Sequence, residues 1–347
     1  MNVKHYSNLF FLLLSADPPV LYLQDWLLRW KMTGFRLLLQ LLRGRRAYLL
    51  VSPSWSHENS QRVRRAAQLI EKHRKWYGDF QFIYLANTVS ELKLFQENGV
   101  RAIFCNQNAF LDPAIYFPLP HSKKRFRAIY DAAFIPYKRH YLACQIKGLA
   151  LIAYLKKDTL KRDINSVKES LPHAIWLKDG SATGNVWLSD HEINHFLNEA
   201  QVGLCLSAVE GGMYASTQYL LTGLPVVTTQ CRGGREVFFD SDFVRYVADD
   251  PDDVAEAVDE FCAAPPDPMQ IRNRTLVRFA EHRARLVDLL NSIYREKGRN
   301  VKWADEWPAQ LPNKLHGGNF PIRNYFAALT GKKGCFPWLD SFHGKVR

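Results

Sequence analysis

Residues 207–227 read SAVEGGMYASTQYLLTGLPVV, and their order decides the fold. An apolar strand over Val202–Ser207 ends at a carboxylate, Glu210, followed by Gly211 and Gly212. A helix is predicted near Tyr214–Leu221, and Gly223-Leu224-Pro225 turns the chain into a second strand, Leu224–Thr229. Glycines at such a turn let a ligand approach the backbone, and the N–H groups of a helix start favour an anion. Gln218 follows Glu210 by eight residues, about two helical turns if the helix opens near Met213. The two side chains would then meet opposite ends of an elongated ligand. Taken alone, a glycine pair before a helix is also an ordinary turn.

The same alternation extends outward in both directions, which is the pattern of an α/β protein. Towards the amino terminus, strands are predicted at Ala47–Val51, Phe80–Leu85 and Val100–Cys105, with helices at Arg62–Trp76 and Val89–Asn98, the latter stopped by Gly99. Three prolines and the cluster Lys123-Lys124-Arg125 make Asp112–Lys124 resemble an interdomain linker. The pattern then restarts with a strand at Arg127–Phe134, a helix at Lys138–Ala150, and strands at Leu149–Leu155 and Ala174–Leu177. Ser189-Asp190 caps a helix through Glu192–Glu199. Asp252–Phe261 is a helix with acids at its start, residues 271–296 form a long basic helix, and the tail from about residue 300 is aromatic and basic. No internal repeat or low-complexity tract is present. A chain of 347 residues exceeds one ordinary core, so two domains are expected.

The stretch around Glu210 resembles the C-terminal donor-binding domain of GT-B glycosyltransferases, in particular the retaining group 1, family 4-like set with the pattern E-G-x7-E-A-x3-G-x-P-V-V. Gly233-Gly234-Arg235-Glu236 is similar to that family's G-G-x-x-E turn, and Asp249–Ala257 to its closing D-D-P-x-x-x-A-x-A helix. Asn106–Pro118 resembles its linker, and Ile129–Leu142 its V-Y-x-G-R-x-x-x-x-K-G segment, so the likeness spans roughly residues 100–265. It implies two Rossmann-like domains facing across a cleft, with a short first domain: 1–118 on the acceptor side, 119–298 binding the nucleotide sugar, and 299–347 packing back on the first domain. It further implies metal-independent, retaining transfer of a hexosyl group from a nucleoside-diphosphate sugar to a glycan or lipid-linked glycan of the bacterial surface or capsular type. No cofactor is expected.

The resemblance assigns roles residue by residue. Glu210 matches the glutamate that meets the donor sugar and reacting centre; Gly211, Gly212, Met213 and Tyr214 match the loop that approaches sugar and diphosphate. Lys138 falls on the lysine that neutralises the leaving diphosphate. Gln218 replaces the second glutamate, normally a ribose partner; an amide still donates and accepts hydrogen bonds but carries no charge. Ala133 stands where an arginine usually accompanies the lysine, and Arg139 is the neighbour able to supply that charge. These departures motivate a competing reading, a non-catalytic GT-B partner that binds sugar nucleotides for an active transferase. Asp249–Asp253 reads as a helix cap rather than a metal-binding DxD, and with no His/Cys cluster no metal is predicted. His57 follows a strand end where either a site residue or a surface histidine capping the next helix would sit.

Charge separates the two halves. Residues 1–150 hold 22 basic and 9 acidic side chains, a balance of +13, whereas residues 151–347 hold 24 and 25, a balance of −1. The positive field therefore belongs to the first half, which points to an acidic partner there. Val20–Arg46 mixes tryptophan and leucine with six basic residues, the composition of an interfacial amphipathic helix on an anionic membrane or of core helices with basic outer faces. Nucleic acid is not expected, since no binding motif accompanies the charge. The run Leu9–Leu14 is too short for a signal peptide, and no apolar stretch is long enough to span a bilayer. Six scattered cysteines fit a reduced compartment, so the expected location is cytoplasmic, peripheral on the inner face of the membrane.

Overall fold

The computed structural model describes residues 11–29, 33–155, 159–179, 188–299, 313–315 and 322–331. The chain forms two compact units: residues 1–110 with 281–347, and residues 111–280. The segment 111–118 thus groups with the second unit, and 281–298 with the first.

The first unit is a five-stranded sheet in the order β1 (Phe11–Ala16), β2 (Pro19–Gln24), β3 (Ala47–Ser52), β4 (Phe80–Ala86), β5 (Ala102–Phe104). β1 is antiparallel to β2, and every other pairing is parallel. Strands β2 and β3 are buried along their whole length, as expected of parallel strands covered on both faces. The connecting helices are α1 (Thr33–Leu41), α2 (Ser60–Tyr77) and α3 (Val89–Glu97). Asn59 caps α2 by accepting from the amides of Gln61 and Arg62, and Thr88 caps α3 by accepting from Glu91.

Of the two readings of Val20–Arg46, the structure supports the core one, with a strand where a helix was expected. Val20–Arg46 is not one interfacial helix; it is strand β2, a 3-10 turn at Asp25–Leu28 and helix α1. Leu27, Leu28, Phe35, Leu38, Leu39 and Leu42 are all buried, so these apolar side chains belong to the core, while Arg29, Arg36, Gln40, Arg43 and Arg46 are exposed. The apolar run near Leu9–Leu14 supplies strand β1 from Phe11 onward. At the other end of the chain, Tyr294 donates to Ser15 Oγ (2.6 Å), Tyr48 donates to Glu296 (2.7 Å), and Tyr325 packs on Phe11. Tyr294 and Tyr325 are thus buried parts of this unit.

The second unit is a six-stranded, wholly parallel sheet. Its strands are β6 (Phe126–Asp131), β7 (Leu149–Ala153), β8 (Ile175–Asp179), β9 (Ala200–Cys205), β10 (Val226–Thr229) and β11 (Val244–Val247), in the order β11-β10-β9-β6-β7-β8. The chain moves outward from β6 to β7 and β8, then returns to the opposite side of β6 as β9. That reversal makes the β6/β9 boundary the topological switch point, where open α/β sheets place ligands beyond the strands' carboxyl ends. Helices α4 (Lys161–Ser170), α5 (Asp190–Asn198), α6 (Tyr214–Leu221), α7 (Pro251–Ala263) and α8 (Pro268–Arg295) follow, α8 continuing into the first unit from Glu281. Ser189 and Glu192 form a capping box on α5, and Asp250 caps α7 through the amides of Asp252 and Asp253.

Two further expectations change here. Lys138–Ala150 is not a helix but two 3-10 turns, Pro136–Lys138 and His140–Ala143. Arg139 between them adopts φ 51°, a left-handed conformation that no continuous helix tolerates. The stretch read as a linker is packed: Tyr116 is fully buried, and the amides of Phe117 and Leu119 donate to Asn194 and Asn198 of α5 at 3.1 and 2.7 Å. No helix among the described residues is long and apolar enough to cross a membrane.

Candidate functional site

The site is built on the two strand ends that flank the switch point. After β6, Pro136 presets the first turn of a 3-10 helix that ends at Lys138, and Tyr130 Oη donates to the carbonyl of Lys138 at 2.5 Å. After β9, residues Leu206 to Met213 form a loop that delivers Glu210. Lys138 Nζ donates directly to Glu210 Oε1, and each side chain is only 7% exposed. A pair this deeply buried gains Coulomb energy but loses hydration, so its net contribution to stability is small while breaking it is costly.

The Glu210 loop is fastened to the loop after β10. Glu210 N donates to Arg232 O (3.0 Å), Arg232 N to Ala208 O (3.0 Å), and Gly234 N to Gly211 O (2.9 Å). Gly211 and Gly212 are buried, and Met213 turns with φ 53° into α6, which opens at Tyr214. The N-cap of α6 is thus a methionine rather than one of the oxygen-bearing side chains that usually close a helix start. The sequence expectation of strand, carboxylate, glycine turn and helix is met element by element.

Two of the assigned side chains sit in arrangements the sequence did not show. Arg139 is next to Lys138 in sequence, but its guanidinium reaches Leu206 O (2.6 Å), Thr229 Oγ1 (2.6 Å) and Asp249 Oδ2 (2.5 Å). It braces the ends of β9 and β10 instead of doubling the lysine's charge. Gln218 is buried on α6, and its Nε2 donates to Tyr116 Oη (2.7 Å), which donates to Asp190 Oδ1 (2.6 Å). Burial and the Asp190 carboxylate both push the Tyr116 phenol's pKa upward, so the hydroxyl keeps its proton. Ala133 is fully buried and brings no charge.

His57 lies in the first unit and is neither a surface side chain nor the cap of α2. It is 1% exposed, with Nδ1 2.9 Å from Trp55 O and Nε2 3.5 Å from Asp25 Oδ2. Burial lowers its pKa. Its amide and that of Asn87 both donate to the Glu91 carboxylate at 2.7 Å, so this region is a buried polar network tying the loops after β3 and β4, in which His57 Nε2 has no hydrogen-bond partner among the described residues. Sequence reasoning also passed over Arg235, Tyr116 and Asp190. Arg235 stood inside a recognised glycine turn, but nothing local signals that its side chain is completely buried.

No protein-family profile and no curated protein matches the sequence. Solved structures do. HepE from Anabaena, determined with UDP, superposes with a TM-score of 0.52 at 14% identity, covering 75% of this chain and 77% of its own. Sucrose-phosphate synthase from Thermosynechococcus elongatus gives 0.51 at 13% identity over 80% and 73%. A glycosyltransferase from Rickettsia africae gives 0.50 at 12% identity over 78% and 82%. The fold is therefore GT-B, with two Rossmann-like units, as the motifs around Glu210 implied.

Proposed function

We propose that the protein is a glycosyltransferase that moves a hexosyl group from a nucleoside-diphosphate sugar to an acceptor hydroxyl. The observation that carries this reading is the buried Lys138–Glu210 pair at the switch point, beside a Gly-Gly turn that opens a helix. In transfer, the bond from the anomeric carbon to the diphosphate breaks, and negative charge builds on the departing phosphate oxygen. Lys138 and the α6 N-terminus are the groups that meet that charge, in a site dry enough to strengthen the interaction. A diphosphate arriving at Lys138 displaces Glu210 from it and frees that carboxylate for the sugar and reacting centre. Charge neutralisation by Lys138 makes the chemistry metal-independent in this reading, and the resemblance makes it retaining. HepE has been solved with UDP-glucose, which supports a nucleotide-sugar donor here.

The acceptor class we favour is a glycan or lipid-linked glycan at the cytoplasmic face of an anionic membrane. Helix α2 supports it: Arg64, Arg65, Lys72 and Lys75 share its outward face, and Trp76 beside them is 51% exposed under Lys72. Sedimentation with phosphatidylglycerol vesicles at low salt tests this placement, and failure to pellet removes it.

The donor reading is tested by thermal shift against a panel of nucleoside diphosphates and their sugars, because a ligand of the native state alone raises its stability. Stabilisation by at least one, lost in Lys138→Ala, is expected; no stabilisation by any sinks the proposal. The second reading, a donor-binding partner without turnover, draws on the engaged Gln218 and the neutral Ala133. Donor binding with neither hydrolysis nor transfer across acceptors would select it.

A further inference from the structure

Arg235 is the largest side chain in the described core, and it is 0% exposed. Its Nη1 donates to Ser207 O (2.8 Å), and its Nη2 reaches Thr228 Oγ1 (2.8 Å), Thr229 O (2.5 Å) and Glu236 Oε1 (3.1 Å). Its own carbonyl accepts from Ser216 Oγ (3.2 Å) in the first turn of α6. One residue therefore grips the end of β9, the end of β10 and the start of α6. Those are the three anchors of the loop that carries Glu210 and the glycine pair. Ser207 precedes Glu210 by three residues, and Ser216 follows it by six.

Stability alone does not account for this choice. A buried guanidinium loses most of its hydration, and the Glu236 carboxylate is its sole acidic partner within bonding distance among the described residues, itself 25% exposed. Nε of Arg235 finds no hydrogen-bond partner there. An apolar side chain of similar volume would fill the space without those costs. What it would not supply is a planar fork that fixes two strand ends at once, or a positive charge behind the loop. That charge is part of the local electrostatics: burial pushes the Cys231 thiol's pKa up, and the Arg235 charge opposes that rise.

We propose that Arg235 is a positioning residue, which sets the Glu210 loop opposite Lys138 and contributes buried positive charge to the diphosphate side of the site. The inference rests on the donor-site reading above. It assigns to the loop after β10 the second cation that Ala133 does not provide.

The test uses the full chain with Arg235→Met and Arg235→Lys, each checked for native circular dichroism. Two readouts are compared with wild type: calorimetric affinity for UDP, ADP and GDP, and hydrogen exchange of the amides at 208–214. Arg235→Met is expected to weaken the best nucleoside diphosphate at least tenfold and to speed exchange in 208–214 at least tenfold, while β6 stays protected. Arg235→Lys keeps the charge but not the fork, so it should recover part of the affinity and little of the protection. A folded Arg235→Met with wild-type affinity and exchange overturns the inference. If that variant does not fold, Arg235→Lys decides alone: exchange equal to wild type overturns the inference, and faster exchange supports it. Wild type that binds no nucleoside diphosphate defeats the donor-site reading, whereas the exchange comparison still judges what Arg235 holds.

Discussion

Lys138 and Glu210 lie 72 residues apart in sequence, yet their side chains form a direct, buried ion pair across the β6/β9 boundary. Neither residue belongs to an α-helix or a strand. Each is delivered by a short irregular segment after a strand, Pro136–Lys138 after β6 and the glycine loop after β9. The sheet reverses its direction of growth between those two strands, so no crossover helix covers their ends, and two charged loops can meet there.

That pairing separates a folding role from a binding role. Lys138→Met or Glu210→Met alone strands a buried charge and is expected to cost about 3–5 kcal/mol. The double variant removes both charges and should regain most of that loss, yet it should show no nucleoside-diphosphate binding. Urea unfolding with calorimetry checks both parts. A double variant no more stable than either single one would contradict the pairing as a closed unit.

Gln218 makes an opposite-looking substitution informative. Restoring a glutamate there would increase the chain's likeness to the E-x7-E pattern, but Tyr116 has only one hydroxyl proton, and it goes to Asp190. Gln218 is accepted because its amide donates to the same oxygen. Gln218→Glu therefore places an acceptor facing an acceptor and should destabilise the protein by about 1–3 kcal/mol. Asp190→Asn in the same background should relieve part of the loss by returning the tyrosine's proton. Thermal melts of wild type and the two variants read this directly, and an unchanged melting point in Gln218→Glu would refute the hydrogen-bond polarity.

The parts of this arrangement that the sequence disclosed are those fixed by neighbours along the chain. Helix α6 begins and ends where its glycines and leucines placed it, and Asp250 caps α7 as its acidic run indicated. Partners of Arg139, Gln218 and Arg235 such as Leu206, Tyr116 and Ser207 were hidden because they lie 67, 102 and 28 residues distant in sequence, on strand ends or in the Tyr116 segment. Val20–Arg46 stayed open between two readings for a different reason. Leucine-rich runs fit a buried strand, a core helix and an interfacial helix equally well by periodicity, and only their burial in a sheet distinguishes the cases.

Acid sensitivity follows from His140. Its ring lies against Tyr130 and Phe134 at centroid distances of 5.2 and 6.4 Å, and burial pulls its pKa down to about 4. The unfolded chain takes up this proton near pH ~6.5, the folded chain only near 4, so the stability present above ~6.5 is lost as pH falls through that window. The shift corresponds to about 3 kcal/mol at the acid end. His282 in the first unit, also lowered to about 4, adds a loss of the same sign. Melting points of wild type and His140→Leu between pH 4 and 7 should show a shallower decline in the variant. Parallel curves would mean that His140 does not titrate between the two states.

Gly203 controls how closely α6 approaches the sheet. It lies in β9 between Ile129 of β6 and Val226 of β10, and an added Cβ would stand 2.5 Å from Cγ of Tyr219. The Tyr219 ring is fully buried, and its hydroxyl accepts the amide of Asp131 at 2.8 Å, so it has no room to swing aside. Gly203→Ala should therefore displace α6 and cost about 1–3 kcal/mol through overpacking. Because α6 carries Tyr214 and Gln218, nucleoside-diphosphate affinity should fall with it. Tyr219→Leu should partly rescue stability in the Gly203→Ala background while being harmful on its own, and Tyr219→Phe, which keeps the ring, should not. A double-mutant cycle by urea unfolding measures that coupling, and strictly additive losses for Gly203→Ala and Tyr219→Leu would show that ring and glycine do not share the contact.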